Sequence, residues 1–404
     1  MRCLLLLPIL ALGACQDGTG PNAQSDALRG LPRALTSAEQ DALTASTRFG
    51  LDLFRTVSRA RPGQNVVLSP LSASFALGMA LNGAGSATRD SMRAVLGWGN
   101  RSDQEINDAY RGLATLLPSL DPKVQFTSAN SIWIDQSFPV LAPFVNTNRS
   151  YFGAQVQNLD LRSASAPGVI NQWVSRATND RIPHLLDAID ADEVLLLINA
   201  IWFKGSWRER FEAAHTQSGW FHNAAGDSTL VPMMSRHGRV RLLSGPTWSG
   251  GEQAYGNGAY SLLILMPLGS ATVERLADSL TSATWANATR DTSYGTLDVS
   301  MPRFRLADDN SLKDALTSLG MGIAFSDGAD FSRIANAALA ISRVQQKSWL
   351  DVNEEGTEAA AATVVGIGTT SSAPVSFVVD RPFVFAIRER FSGAILFIGK
   401  VAKL

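Results

Sequence analysis

The groups in this chain that could do chemistry are few. Four histidines, His184, His215, His222 and His237, are the only side chains with an ordinary pKa near neutrality. A histidine base for acyl transfer needs a nucleophile and an orienting carboxylate. No Gly-x-Ser-x-Gly elbow supplies the nucleophile on a strand-to-helix turn. No His-Glu-x-x-His pair and no cysteine cluster offers metal-ligand spacing, so no metal is expected. The pairs Gly83/Gly85, Gly320/Gly322 and Gly366/Gly368 lack the third small residue of a dinucleotide loop. A Ser-His-Asp triad drawn from distant segments stays open as an alternative, and each histidine reads first as a structural or surface group. No enzyme is expected, and no cofactor.

A different kind of chemistry is offered by a peptide that other proteins could cut. Asn353-Glu354-Glu355-Gly356-Thr357-Glu358-Ala359-Ala360-Ala361-Ala362-Thr363 continues as uncharged Val, Gly, Ile, Thr and Ser up to Pro374. By propensity its alanines favour a helix running into a linker. Context favours a long loop, because a plausible strand over 341–352 precedes it and apolar strands follow. Loops of that length inside a compact domain are usually functional.

The elements that must position this loop are legible around it. Ser37-Ala38-Glu39-Gln40 reads as a capping box opening a helix, with Leu43, Phe49, Leu53, Phe54 and Val57 as its apolar stripe. Ser69-Pro70 reads as the N-cap and first residue of a second helix. The run from Val194 to Phe203 is apolar except for Asn199, as in a strand buried on both faces. Asn199 must find hydrogen-bond partners there. Phe383–Ile387 and Ala394–Val401, separated by Arg388-Glu389-Arg390-Phe391-Ser392-Gly393, read as a hairpin. Helices come early and strands late, without a βαβ period, so the fold class is α+β.

Composition bounds the rest. The 404 residues are 45% hydrophobic and 18% charged, with a formal net charge of −1 and scattered Lys and Arg, which excludes a nucleic-acid surface. Cys3–Leu12 is too short to span a bilayer and reads as the apolar region of a signal peptide. Leu12-Gly13-Ala14-Cys15 resembles a bacterial lipobox, the alternative being an ordinary secretory signal. Residues 1–14 are therefore expected to be cleaved. Cys15 is expected to carry lipid, with 15–35 as a Gly/Asn/Ser/Pro-rich flexible tether and 36–404 as one domain. With Gln16 and no Asp after the cysteine, the lipobox resemblance implies export to the outer membrane or cell surface, with extracellular release as the alternative. With Cys3 removed and Cys15 lipidated, the domain has no disulfide and relies on packing.

The loop's first half resembles the proximal hinge of inhibitory serpins. Other blocks of that family occur in order. These are Asn65-Val66-Val67-Leu68-Ser69-Pro70-Leu71-Ser72, Leu197 to Trp207, Met301-Pro302-Arg303-Phe304, Ala329-Asp330-Phe331-Ser332, Arg381-Pro382-Phe383 and Gly393 to Gly399. The resemblance implies a serpin fold with about three β-sheets, eight to nine helices and an exposed reactive-centre loop. It implies a monomer that traps a target serine protease as an acyl-enzyme, the cut loop entering the central sheet as a new strand. Strand addition driven by stored strain is the known behaviour of that family, and it comes to this chain only through the resemblance.

Further assignments follow from the resemblance. The hinge is Glu354 to Thr363, with Thr357, Ala359, Ala361 and Thr363 on one small, uncharged face and Glu358 on the other. Gly356 is the pivot. Family spacing puts the scissile bond at Thr370-Ser371, with Ile367-Gly368 and Thr369-Thr370 as alternatives. A small residue before the cut implies an elastase-like target. Ser69, Ser72 and Asn199 match the shutter, with Gln346 standing where the family often has His, and Trp207 matches the breach. The early helices carry no dense Lys/Arg face, so no heparin-like cofactor is implied. A non-inhibitory serpin, acting as a binding or structural surface protein, is the alternative reading. About 14 inserted residues would gain roughly 10–20 kcal/mol at ~0.5–1.5 per hydrogen bond. Ordering them costs about 1–2 kcal/mol each, so burial and relief of a strained sheet must supply the drive.

Overall fold

The computed structural model describes residues 27–290, 293–357 and 376–404. Its first half is mostly helical. It holds α1 (Ser37–Ala60), β1 (Val66–Leu68), α2 (Pro70–Leu81), α3 (Ser86–Leu96) and α4 (Asp103–Leu116). Then come β2 (Val124–Asp135), α5 (Ala142–Phe152), β3 (Gln155–Leu159), α6 (Ala166–Ala177) and β4 (Leu195–Ser206). The middle is β5 (Gln217–His222), β6 (Ser228–Ser244), β7 (Trp248–Ala254), β8 (Tyr260–Pro267), α7 (Val273–Ser279) and α8 (Ser282–Arg290). The rest is β9 (Tyr294–Pro302), β10 (Phe304–Ser311), α9 (Lys313–Leu316), β11 (Arg343–Asn353) and β12 (Gly356–Thr357). It closes with β13 (Ser376–Val378), β14 (Phe383–Glu389) and β15 (Ile395–Val401). Among the described residues no helix is long and apolar enough to cross a membrane.

The capping box at the first helix is real but sits one residue earlier than the sequence suggests. Thr36, not Ser37, is the N-cap: its hydroxyl accepts from the Glu39 amide, and the Glu39 carboxylate accepts from the Thr36 amide. That spacing of three places the two orphan amides opposite the two side chains. Ser69 caps α2 with Pro70 as its first residue, and every residue of α2 is buried. A helix that is apolar all round belongs in the middle of a core, and α2 lies against α1, β4 and β15.

Two hydrogen-bonded sheets cross the molecule. The smaller runs β10-β11-β12-β4-β2-β3. The larger has nine strands in the order β1-β15-β14-β8-β7-β6-β9-β13, with β5 also on β6. The expected count of about three becomes two networks for a local reason. The 17-residue strand β6 pairs with β5 at one end and β7 at the other, while β9 follows its middle, so one strand joins what would be separate sheets.

β4 is buried on both faces, as its composition requires. Leu195, Leu197, Ile201 and Phe203 face the main core, whereas Leu196, Ile198 and Ala200 pack with Ile170 and Val174 of α6. The period of two in a strand makes this division. The C-terminal hairpin forms as read, β14 pairing antiparallel with β15. β15 also pairs with β1, so residues 66–68 are held by residues 398–400.

Candidate functional site at a forked sheet

β4 and β11 are neighbours in space though far apart in the chain. They pair in parallel from Leu196/Arg343 to Trp202/Trp349. Beyond that point they separate, and β12 fills the opening. Gly356 and Thr357 pair antiparallel with Ser206 and Gly205 on one side and with Asn353 and Val352 on the other. The sheet is thus a fork whose mouth already holds two hinge residues. At the crotch, the Ser348 hydroxyl and the Trp202 indole N–H are buried without a hydrogen-bond partner among the described residues. Each unmet buried group costs about 1–3 kcal/mol.

The mouth is held by a connected set of bonds. Thr357 is fully buried, and its hydroxyl meets the Tyr255 hydroxyl at 2.7 Å. Tyr255 stacks on Trp207, with ring centroids 4.5 Å apart and planes 9° apart. The Trp207 indole N–H donates to the Asn353 carbonyl at 2.8 Å, and its amide donates to the Glu355 carbonyl at 2.8 Å. The Phe211 amide donates to the Glu354 carbonyl at 3.0 Å. Gly356 has φ of +153°, and a Cβ there would fall 1.9 Å from the Gly205 carbonyl oxygen. Only glycine allows β12 to approach β4 this closely.

Glu354 anchors the hinge base. Its buried carboxylate accepts from Arg303 at 2.5 Å and from the Thr216 hydroxyl at 2.6 Å. Burial pushes this carboxyl up, but the bonds from Arg303 and Thr216 outweigh it and hold the pKa below the ordinary 4.5. A carboxyl depressed by folding adds stability above its unfolded pKa and loses it as pH falls through the folded value. Glu354→Gln is therefore expected to lower the denaturant midpoint at pH 7. The gap to the parent should close as pH falls below the ordinary 4.5 and through the lowered pKa of folded Glu354. A gap that stays constant over that whole range would mean that the Glu354 charge plays no part.

Below the fork, a row of side-chain amides crosses four strands. Asn310, Gln346, Asn199 and Asn130 are successive cross-strand partners on β10, β11, β4 and β2. Gln346 donates to Asn199 at 2.9 Å, and Asn199 donates to Asn130 at 2.7 Å and to the Ser72 hydroxyl. Ser72 and Ser128 hydroxyls meet at 2.6 Å. Gln346 also accepts from the Ser69 amide at 2.8 Å and donates to the Ser69 carbonyl at 3.0 Å. Asn310 donates to the Val67 carbonyl at 3.0 Å and accepts from Arg61 at 2.8 Å. The chain brings Ser69, Ser72, Asn199 and Gln346 together as the sequence suggests. It adds Ser128, Asn130 and Asn310, which no local pattern marks, because only the strand register aligns them.

Glu358, Ala359, Ala360, Ala361, Ala362, Thr363, Thr370, Ser371 and Cys15 lie outside the described residues. Glu354, Glu355, Gly356, Thr357 and Trp207 all meet at the mouth. The four histidines are exposed, and none has both a hydroxyl and a carboxylate partner among the described residues.

The serpin (serine protease inhibitor) family model matches residues 44–404. Iripin-2 of Ixodes ricinus is 35% identical over 91% of this chain and 94% of its own length. The leukocyte elastase inhibitor of Sus scrofa is 32% identical over 89% of this chain and 98% of its own. The native structure of the thermophilic serpin tengpin superposes with a TM-score of 0.83 at 29% identity, covering 92% of this chain and 96% of tengpin. Fold and sequence define the serpin class, whose members are typically protease inhibitors rather than enzymes. The chain belongs to the serpin family.

Proposed function

We propose that this chain is an irreversible trap for a serine protease of elastase-like specificity, working by insertion of its own loop between β4 and β11. The observation that carries this reading is the fork with Gly356 and Thr357 already paired in its mouth. Those two residues are the seed of a strand, and adding residues to a seeded strand costs less than starting one.

Continuing the same register gives the reading detail. Thr363 comes level with Asn199 on one side and Gln346 on the other, where its hydroxyl replaces the bond that insertion breaks. Ala361 comes level with Ser348. Thr357, Ala359, Ala361 and Thr363 share the inward face, all small enough for a packed interior. The strands end at Leu195 and Arg343, so the insert is complete near residues 366–367. An acyl bond at Thr370 then lies a few residues past the far edge, with the protease hauled to that pole. In these terms Trp207 marks the breach, and the amide row is the shutter that must part.

We further read the chain as a lipoprotein held through Cys15 to the outer membrane or cell surface, with a single serpin body over 36–404.

The test mixes the chain with elastase-like and trypsin-like proteases and resolves the products on denaturing gels. The expected result is an SDS-resistant band at the summed mass with the elastase-like enzymes. Mass spectrometry should find a released peptide starting at Ser371. Cleavage without complex across the panel would replace this reading with that of a non-inhibitory binding protein.

A further inference from the structure

Beside the fork, a cavity of about 640 Å³ opens among β6, β7, β8 and the turn between β14 and β15. Five arginines line it, Arg208, Arg236, Arg239, Arg241 and Arg390, against two carboxylates, Glu209 and Glu252. Both carboxylates are already engaged. Glu209 accepts from Arg236 at 2.6 Å and from the Arg239 amide at 3.1 Å. Glu252 is buried and accepts from Arg388 at 2.8 Å, from Ser261 at 2.5 Å and from Arg241.

Among the described residues, no carboxylate lies within ion-pair distance of Arg239 or Arg390. One residue positions both. The Arg239 guanidinium stacks over the Tyr294 ring at 4.3 Å, and Arg390 donates to the Tyr294 hydroxyl at 3.2 Å. Arg390 also donates to the Gly258 carbonyl at 3.0 Å. Two pre-oriented guanidinium forks at the mouth of a cavity this size match a small, multiply charged oxyanion.

We propose that this cavity binds a compact phosphate-bearing anion, gripped by Arg239 and Arg390. Its source is either a membrane headgroup or a soluble phosphate compound. Placement favours the headgroup. Ala27 and Leu28 line the same cavity, the Leu28 amide donating to the Asn257 carbonyl at 3.0 Å. The chain toward Cys15 therefore leaves from the cavity rim. Under the lipid-anchor reading, on which only the membrane source rests, Leu28 follows the lipidated residue by 13 positions. A Gly/Ser-type linker of that length spans about 20 Å on average. The cavity then lies within reach of headgroup phosphates.

The test uses the full chain with Cys15→Ser. It is titrated calorimetrically with pyrophosphate, and sedimented with phosphatidylglycerol or phosphatidylcholine vesicles. One pyrophosphate is expected per chain, with affinity reduced at least about tenfold in Arg239→Ala/Arg390→Ala, a loss near 1.4 kcal/mol or more. Arg149→Ala/Arg333→Ala removes equal charge elsewhere and should change affinity less than about twofold. Phosphatidylglycerol binding that depends on Arg239 and Arg390 supports the site and assigns it to the membrane. Pyrophosphate binding without vesicle binding supports it and assigns a soluble ligand. Failure to bind either, or equal losses in the two double variants, overturns the proposal. No protease enters these measurements, so their failure and that of the trapping reading are separable.

Discussion

If the chain traps proteases as proposed, Thr357→Arg is expected to leave it a substrate only. Thr357 is fully buried at the fork's mouth, hydroxyl to hydroxyl with Tyr255. Among the described residues, Thr357 has a hydroxyl and no carboxylate as its side-chain partner, so an arginine there meets no anion among them. Glu354, the carboxylate at the hinge base, is already bonded to Arg303 and Thr216. An uncompensated buried charge costs about 3–5 kcal/mol. The variant avoids that cost by keeping its hinge out of the sheet, and insertion must then start without a seed. A barrier raised by about 3 kcal/mol slows a step roughly 100-fold, long enough for the acyl-enzyme to hydrolyse. The expected gel shows cleaved chain, free protease and less than about a tenth of the parent's complex. Thr357→Ser keeps the hydroxyl and should trap as the parent does. Undiminished complex formation by Thr357→Arg would sink the insertion mechanism.

Gln346→Leu is expected to destabilise the native state more than any conservative change on the surface. The substitution nearly preserves volume, yet it breaks three bonds and strands two buried groups, the Ser69 amide and the Asn199 carbonyl oxygen; the Ser69 carbonyl keeps the Ala73 amide. At about 1–3 kcal/mol for each unmet group, the loss is on the order of 2–6 kcal/mol. At roughly 1–2 °C per kcal/mol for a domain of this length, the melting midpoint should fall by about 3–8 °C. The same three bonds tie β11 to β4 and α2, below the crotch of the fork. Cutting them should also let the loop enter unprovoked, so stored protein loses inhibitory capacity while keeping its helical signal. A midpoint within about 2 °C of the parent would show that the amide row does not hold the sheet shut.

Much of this architecture is legible in the residues, and the failures have physical causes. The Ser69-Pro70 cap, the doubly buried run at 194–203 and the C-terminal hairpin each carry their signal locally, in propensity and period. Asn199 announces itself because one amide in an apolar run must be satisfied. Its neighbours in the cluster, Asn130, Ser128 and Asn310, do not, since each looks ordinary in its own strand and only the register gathers them. Thr36 escapes notice because Ser37 is an equally good cap by type; backbone geometry decides between them. β12 has no sequence signature at all. Two residues make no pattern, and Gly356 and Thr357 are a strand only because β4 and β11 diverge. The arginines of the cavity are spread from 208 to 390 and cancel in the net charge of −1, which conceals their convergence.

The pairing of β1 with β15 sets the order in which this protein can be made. Residues 66–68 emerge early, yet their strand partner is among the last ten residues of the chain. The large sheet therefore cannot close around α2 while the chain is still being synthesised. β11, one arm of the fork, is also late. Until the C-terminus is free the nascent chain has no finished large sheet, so the fork with its open mouth is complete only at release. A chain shortened by even ten residues would lose β15, and with it the strand that closes the core.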